Sequence, residues 1–165
     1  MAKLKKRVNQ PLLSTTKQYG LGLFILLSAL VFSLFFIWEV SAQPFVVAKS
    51  KALKVATEHA QLKEANQVQI YNGTQTFFSV SGINQNEEAV WVFVPEKGTT
   101  IYVYPQDSGI TSEKAQLIAQ ENGANQVDRV LLGIEEEKPV WEVKSGTAYY
   151  FIEFETGIFM KKEGL

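Results

Sequence analysis

One histidine and two runs of carboxylates are the places where this 165-residue chain could do chemistry. His59 could act as a general base, yet no nucleophile is placed by motif around it. It lies on an alanine-rich helical stripe, which reads as a satisfied or half-exposed helix position. Glu87-Glu88 and Glu135-Glu136-Glu137 could pair as acid and base or gather a cation. Their spacing matches no calcium loop, and both fall in hairpin turns, so they read as solvated rim charges. The chain has no cysteine, which excludes disulfides, thiolate nucleophiles and cysteine-ligated zinc. No phosphate-cradling glycine loop occurs, because "GLGLF" at Gly20 sits inside an apolar run. Asn72-Gly73-Thr74 has the form of a glycosylation sequon and reads better as a turn of the kind that favours positive φ. The expectation is a non-enzymatic protein with no cofactor, no metal and no small-molecule substrate.

The elements that carry these residues begin with an apolar run. Between Lys17 and Glu39 lie 21 uncharged residues, "QYGLGLFILLSALVFSLFFIW". As a helix this run is roughly 31 Å long, enough for one crossing of a hydrocarbon core of about 30 Å. Leu, Ile, Phe and Val dominate it, each favouring insertion by about 0.3 to 0.6 kcal/mol. Lys3, Lys5, Lys6, Arg7 and Lys17 precede the run, and Glu39 is the first acid. The positive-inside rule then leaves residues 1–17 in the cytoplasm and everything after Glu39 outside. The run exceeds the usual apolar length of a signal peptide, so an uncleaved anchor is favoured over cleavage after Ala42. From residue 40 onward eleven Lys and Arg face sixteen Asp and Glu, so a basic tail precedes an acidic body. The span and the anionic lipid beside it account for the tail, and no nucleic-acid partner is expected.

Outside the span the chain repeats itself. Pro44 should interrupt any continuing helix, and "VVAKSKALKVATEHAQLKEA" reads as a new one. "KALKVATE" from Lys51 matches "KAQLIAQE" from Lys114, whose helix starts at the N-cap candidate Thr111 and ends at Gly123. After each helix come short runs with strand alternation, among them "QTFFSVSGI", "AVWVFV" and "TIYVY", then "QVDRVLLGI", "PVWEV" and "AYYFIEF". "VWVFVPEKGTTIYVYPQDSG" from Val90 echoes "VWEVKSGTAYYFIEFETG" from Val140. The offset is 63 residues at the helices and 50 at the tryptophans, so the first copy carries about thirteen extra residues, a hairpin strand around "IYNGTQTFF". A unit of about 60 residues is marginal alone, and the two should share an interface. Trp91 and Trp141 read as anchors closing each sheet on its helix. Val90 to Val94, apolar on both faces, needs cover on both.

Helix, hairpin, "VWEV" and "AYYFIEFETGIFMK" resemble the PepSY-type repeat, and two repeats behind a basic tail and one span resemble the TseB-like (YpmB-like) family of Gram-positive bacteria. The resemblance covers the whole chain; the first copy departs from it at "YVYPQDSG", with Pro105 in the closing turn. It implies an α+β protein with two tandem cystatin-like units. The boundaries are a cytoplasmic tail at 1–17, a transmembrane helix at 18–38, a junction at 39–44, and PepSY-like units at 45–106 and 107–165. It also implies a non-enzymatic regulator of cell-wall elongation beside the peptidoglycan machinery, bound to a membrane partner such as an elongation-type penicillin-binding transpeptidase. The alternative is a PepSY-type peptidase-restraining module, and an enzyme or cation-dependent sensor acting through the acidic turns ranks third. Tyr102, Tyr104, Tyr149 and Tyr150 are the candidate partner-binding residues.

Overall fold

The computed structural model describes residues 14–164, with the side chains of residues 40–44 set aside; the basic cluster from Lys3 to Arg7 lies outside the described residues. The chain forms two compact units, residues 1–44 and 45–165. In the first, Thr15–Glu39 is helical with a mean hydropathy of 2.6 and is long and apolar enough to cross a membrane. Its Leu, Ile and Phe side chains are exposed all round.

Helix α1 spans Thr15–Ala60, so the expected break at Pro44 does not occur. A proline inside a helix removes one donor and costs about 3 kcal/mol. The apolar run before it and the alanine-rich run after it each favour helix, and that outweighs a single missing bond. The helix stops at Ala60, earlier than the sequence pattern suggests, because Gln61 takes φ 49° and turns the chain. Leu62 to Ala65, expected as helix, instead open strand β1.

The second unit is α+β. Strands β1 (Leu62–Asn72), β2 (Thr76–Asn84), β3 (Ala89–Pro95) and β4 (Tyr102–Pro105) form one antiparallel meander. After a 3-10 turn at Gln106–Ser108 and helix α2 (Ser112–Glu121), strands β5 (Arg129–Glu135), β6 (Lys138–Ser145), β7 (Ala148–Glu153) and β8 (Phe159–Glu163) form another. Thr111 caps α2 by accepting the Lys114 N–H at 3.3 Å, and Gly123 follows the C-cap at φ 100°.

Alternation along β3 explains how both faces are covered. Val90, Val92 and Val94 pack with Phe78 and Val80 against Ala52 and Ala56 of α1. Phe93 belongs to the other core, with the half-buried Trp91 packed against it and the second sheet beyond. The repeated helices serve equivalent purposes: Ala52 and Ala56 are buried on the first sheet's side, and Ala115 and Ala119, 63 residues on, are wholly buried in the second core. Small side chains at these four sites let a helix lie close to a sheet. Each fully buried Phe, Leu or Ile in these cores contributes about 1.5 to 3 kcal/mol.

The tryptophans follow the expectation only in part. Trp141 does close its sheet on α2, in one core with Ala115 and Ala119, whereas Trp91 turns away from α1 and meets Trp141 edge to face, with centroids 6.0 Å apart at 89°. Trp91 lies on the third strand of its sheet and Trp141 on the second, so the 50-residue echo runs one strand out of step with the fold.

The second sheet meets the first along β5. The edge of β5 would expose unpaired backbone groups. Ser79 Oγ donates to the Leu132 carbonyl at 2.5 Å, and the Leu132 N–H donates to Gln69 Oε1 at 3.4 Å. Just beside this seam the wholly buried Tyr71 ring lies on Gly133, where a Cβ would fall 2.0 Å from Tyr71 Cγ. Gly133→Ala should therefore cost about 3 kcal/mol through overpacking. Tyr71→Phe, which keeps the ring and loses its bond to Glu135, should cost about 1.5 kcal/mol. Urea unfolding of the detergent-solubilised chain measures both, and a Gly133→Ala midpoint equal to wild type would contradict this packing.

Candidate functional site

The face of the second sheet turned away from the tryptophans carries the richest chemistry. Strand register places Leu131, Glu142, Phe151 and Lys161 in one row across the sheet, with Arg129, Lys144, Tyr149 and Glu163 in the next. The end of β1 and its turn, Ile70 to Thr74, wall one side of the resulting groove of about 500 Å³.

Glu135 closes the wall. Tyr71 Oη donates to its Oε1 at 2.8 Å, the Thr74 N–H donates to the same oxygen at 3.2 Å, and Thr74 Oγ1 donates to Oε2 at 2.9 Å. Burial, reinforced by this carboxylate, holds the Tyr71 phenol above its ordinary pKa, so it stays a donor. Glu135 was expected among the solvated rim charges, but it bonds across 61 and 64 residues of chain. Its neighbours Glu136 and Glu137 do sit in the turn, at φ 48° and 64°. Gly73 was expected at positive φ and is not among the residues that adopt it. Its requirement is space, since a Cβ there would lie 2.0 Å from Glu135 Oε1.

Glu142 forms the floor. It is only 7% exposed, and Arg129 Nη2 donates to its Oε1 at 3.3 Å from a half-exposed position. Lys161 Nζ bonds Glu163 Oε1 at 2.6 Å and stands 4.8 Å from the Phe151 ring centre. Guanidinium, ammonium, carboxylates and aromatic faces thus converge in one concave surface. That combination suits recognition of a polar, partly apolar group.

The four candidate tyrosines separate. Tyr149 lines this groove, half-buried. Its neighbour Tyr150 points the other way and is 2% exposed in the core, so no partner reaches it without opening the fold. Tyr102 and Tyr104 are half-buried, Tyr102 edge-on to Phe77 at 6.2 Å and Tyr104 edge-on to Phe93 and Phe154 at 6.1 and 6.5 Å. His59 is exposed at the end of α1, beside an apolar cleft that Val55, Phe78 and Ile101 also line. Among the described residues no group of three or more His, Asp or Glu side chains could hold a metal ion. Sequence reasoning missed Glu142, Arg129 and Tyr71; a lone glycine inside the strand "VLLGI" was the available sign that another group approaches the backbone closely there.

Burial pushes the Glu142 carboxyl above its ordinary value of 4.5, and Arg129 only partly opposes this. The folded state thus binds that proton more tightly than the unfolded chain does. Stability falls as pH rises from the ordinary value through the raised one. Glu142→Gln should remove this loss, so the variant should match or exceed wild-type stability at pH 7, and the two should converge below the ordinary value. Thermal unfolding across the pH series checks the sign; a variant less stable at pH 7 than at pH 4, relative to wild type, would reverse it.

Residues 51–95 match the cell wall elongation regulator TseB-like domain. The YpmB protein from Bacillus subtilis is similar in structure, with 25% identity, a TM-score of 0.65, and 70% of this chain and 96% of that one covered. A protein described as a lipoprotein from Clostridium difficile 630 is aligned at 10% identity and a TM-score of 0.37 over 70% of this chain and 91% of its own. No curated protein sequence matches the chain. The matched domain supports a regulatory role in cell-wall elongation. Together, the matched domain and the similarity in fold to YpmB support a TseB/YpmB-like assignment.

Proposed function

We propose that this protein is a membrane-anchored, extracytoplasmic, non-enzymatic regulator of cell-wall elongation that works by binding a protein at the same membrane, an elongation-type penicillin-binding transpeptidase. The match of residues 51–95 to a TseB-like domain is the observation that carries the reading. The apolar helix Thr15–Glu39, preceded by basic residues, supports a single span with the N-terminus in the cytoplasm. Helix followed by a four-stranded meander, occurring twice, supports two PepSY-like, cystatin-like units at 45–106 and 107–165. Confinement to one membrane raises the effective concentration of a partner, so a small contact suffices.

The groove on the second sheet is the recognition surface in this reading, with Tyr149 and Arg129 as the accessible contacts and Glu142 fixing Arg129. Aromatic and Arg side chains carry a disproportionate share of interface energy. Crosslinking and pull-down of the full-length tagged protein from membranes tests the assignment. The wild type should enrich a cell-wall transpeptidase. The Arg129→Ala, Tyr149→Ala double variant should recover roughly tenfold less, equivalent to about 1.4 kcal/mol, while still unfolding in one cooperative transition above the temperature of the pull-down. Enrichment of a peptidase instead would overturn the assignment in favour of peptidase restraint, and undiminished capture by the variant would move the contact off the groove.

A further inference from the structure

The start of the second unit carries an unusual surface. Phe45, Val46 and Val47 are 63%, 65% and 65% exposed on α1, left largely uncovered by the other described residues. Consecutive helix positions lie about 100° apart, so three of them span more than half of the helix circumference. A packed helix or sheet hides one stripe and would leave the others wet. A lipid environment covers all of them.

Charge separates in the same place. From Val40 to Thr57 there are three lysines, Lys49, Lys51 and Lys54, and no acid. All three are exposed, and Lys54 also stands 3.9 Å from Glu58 at the end of this stretch. From Glu58 to Leu165 sixteen acids face eight bases. The acidic remainder is repelled by an anionic surface, whereas the stretch next to the apolar turn is attracted to one. Phe45 follows Glu39 by six residues, about 9 Å along a helix, which is within reach of the headgroup layer.

We infer that residues 45–54 form a lipid-binding collar: Phe45, Val46 and Val47 enter the interfacial region of the membrane that the chain's own helix crosses, and Lys49, Lys51 and Lys54 contact anionic phospholipid headgroups. The collar rests on the anchoring reading above and adds that the second unit is held at the membrane surface by its own contacts. Apolar side chains at the acyl boundary and basic ones at the headgroups are the two terms that bind a peripheral helix to anionic lipid.

The chain has no cysteine, so single-cysteine labelling of the full-length protein is clean. Leu27→Cys, Val47→Cys and Thr57→Cys would each carry an environment-sensitive fluorophore. Each is reconstituted in phosphatidylcholine vesicles with and without phosphatidylglycerol, with doxyl lipid as quencher. Labels at 27 and 47 should be quenched and the label at 57 should not. The Lys49→Glu, Lys51→Glu, Lys54→Glu variant should lose quenching at 47 in the anionic vesicles but not in the zwitterionic ones. Quenching at 27 with none at 47 would overturn the collar and leave the anchor standing, assigning the apolar turn to a protein contact. Absence of quenching at 27 would overturn the anchor and the collar with it. Quenching at 47 that ignores both lipid charge and the lysines would overturn the headgroup contact.

Discussion

The edge of β5 rests on a face of the first sheet, and the rest of the second unit is arranged around that seam. A strand edge needs partners for its backbone groups, and here side chains supply them: Ser79 for the Leu132 carbonyl and Gln69 for the Leu132 N–H. Tyr71 then lies on Gly133 and bonds Glu135, so the ring, the glycine and the carboxylate close one end of the contact. Trp91 against Trp141 closes the other side. The first sheet has its own core against α1, but Phe77 and Phe93 on its other face join Leu132, Trp141 and Ile152 of the second in one shared cluster.

Seating one edge of the second sheet in this way divides its faces. One faces the shared core with α2. The other is left open, and the end of β1 rises beside it as a wall, which is how a groove forms on a sheet that would otherwise be flat. The same Tyr71 to Glu135 bond that fixes the seam therefore fixes the groove wall. Stability and the groove proposed for recognition thus share residues.

Much of this was legible in the residues, and the failures have physical causes. The helix repeat was readable because Ala52, Ala56, Ala115 and Ala119 do the same packing at the same spacing. The tryptophan echo was readable but misplaced the strands: it marks inner strands whose tryptophan rings touch, not equal positions in two copies. Pro44 misled because local breaking propensity is small beside two strongly helical flanks. Tyr149 and Tyr150 are adjacent in a strand and so point to opposite faces; period-two alternation does not say which face is inside until the other sheet is placed. Glu135 looked like a turn carboxylate because its partners lie more than 60 residues away.

Native-state amide hydrogen exchange on the full-length protein tests the shared seam most directly. Val80 and Val92 lie in the first sheet and Val143 and Ile152 in the second, all wholly buried. If the seam makes one cooperative unit, their amides exchange only through a common opening with the free energy of global unfolding. A second sheet whose amides exchange through a distinctly lower-energy opening, while the first stays protected, would contradict the account.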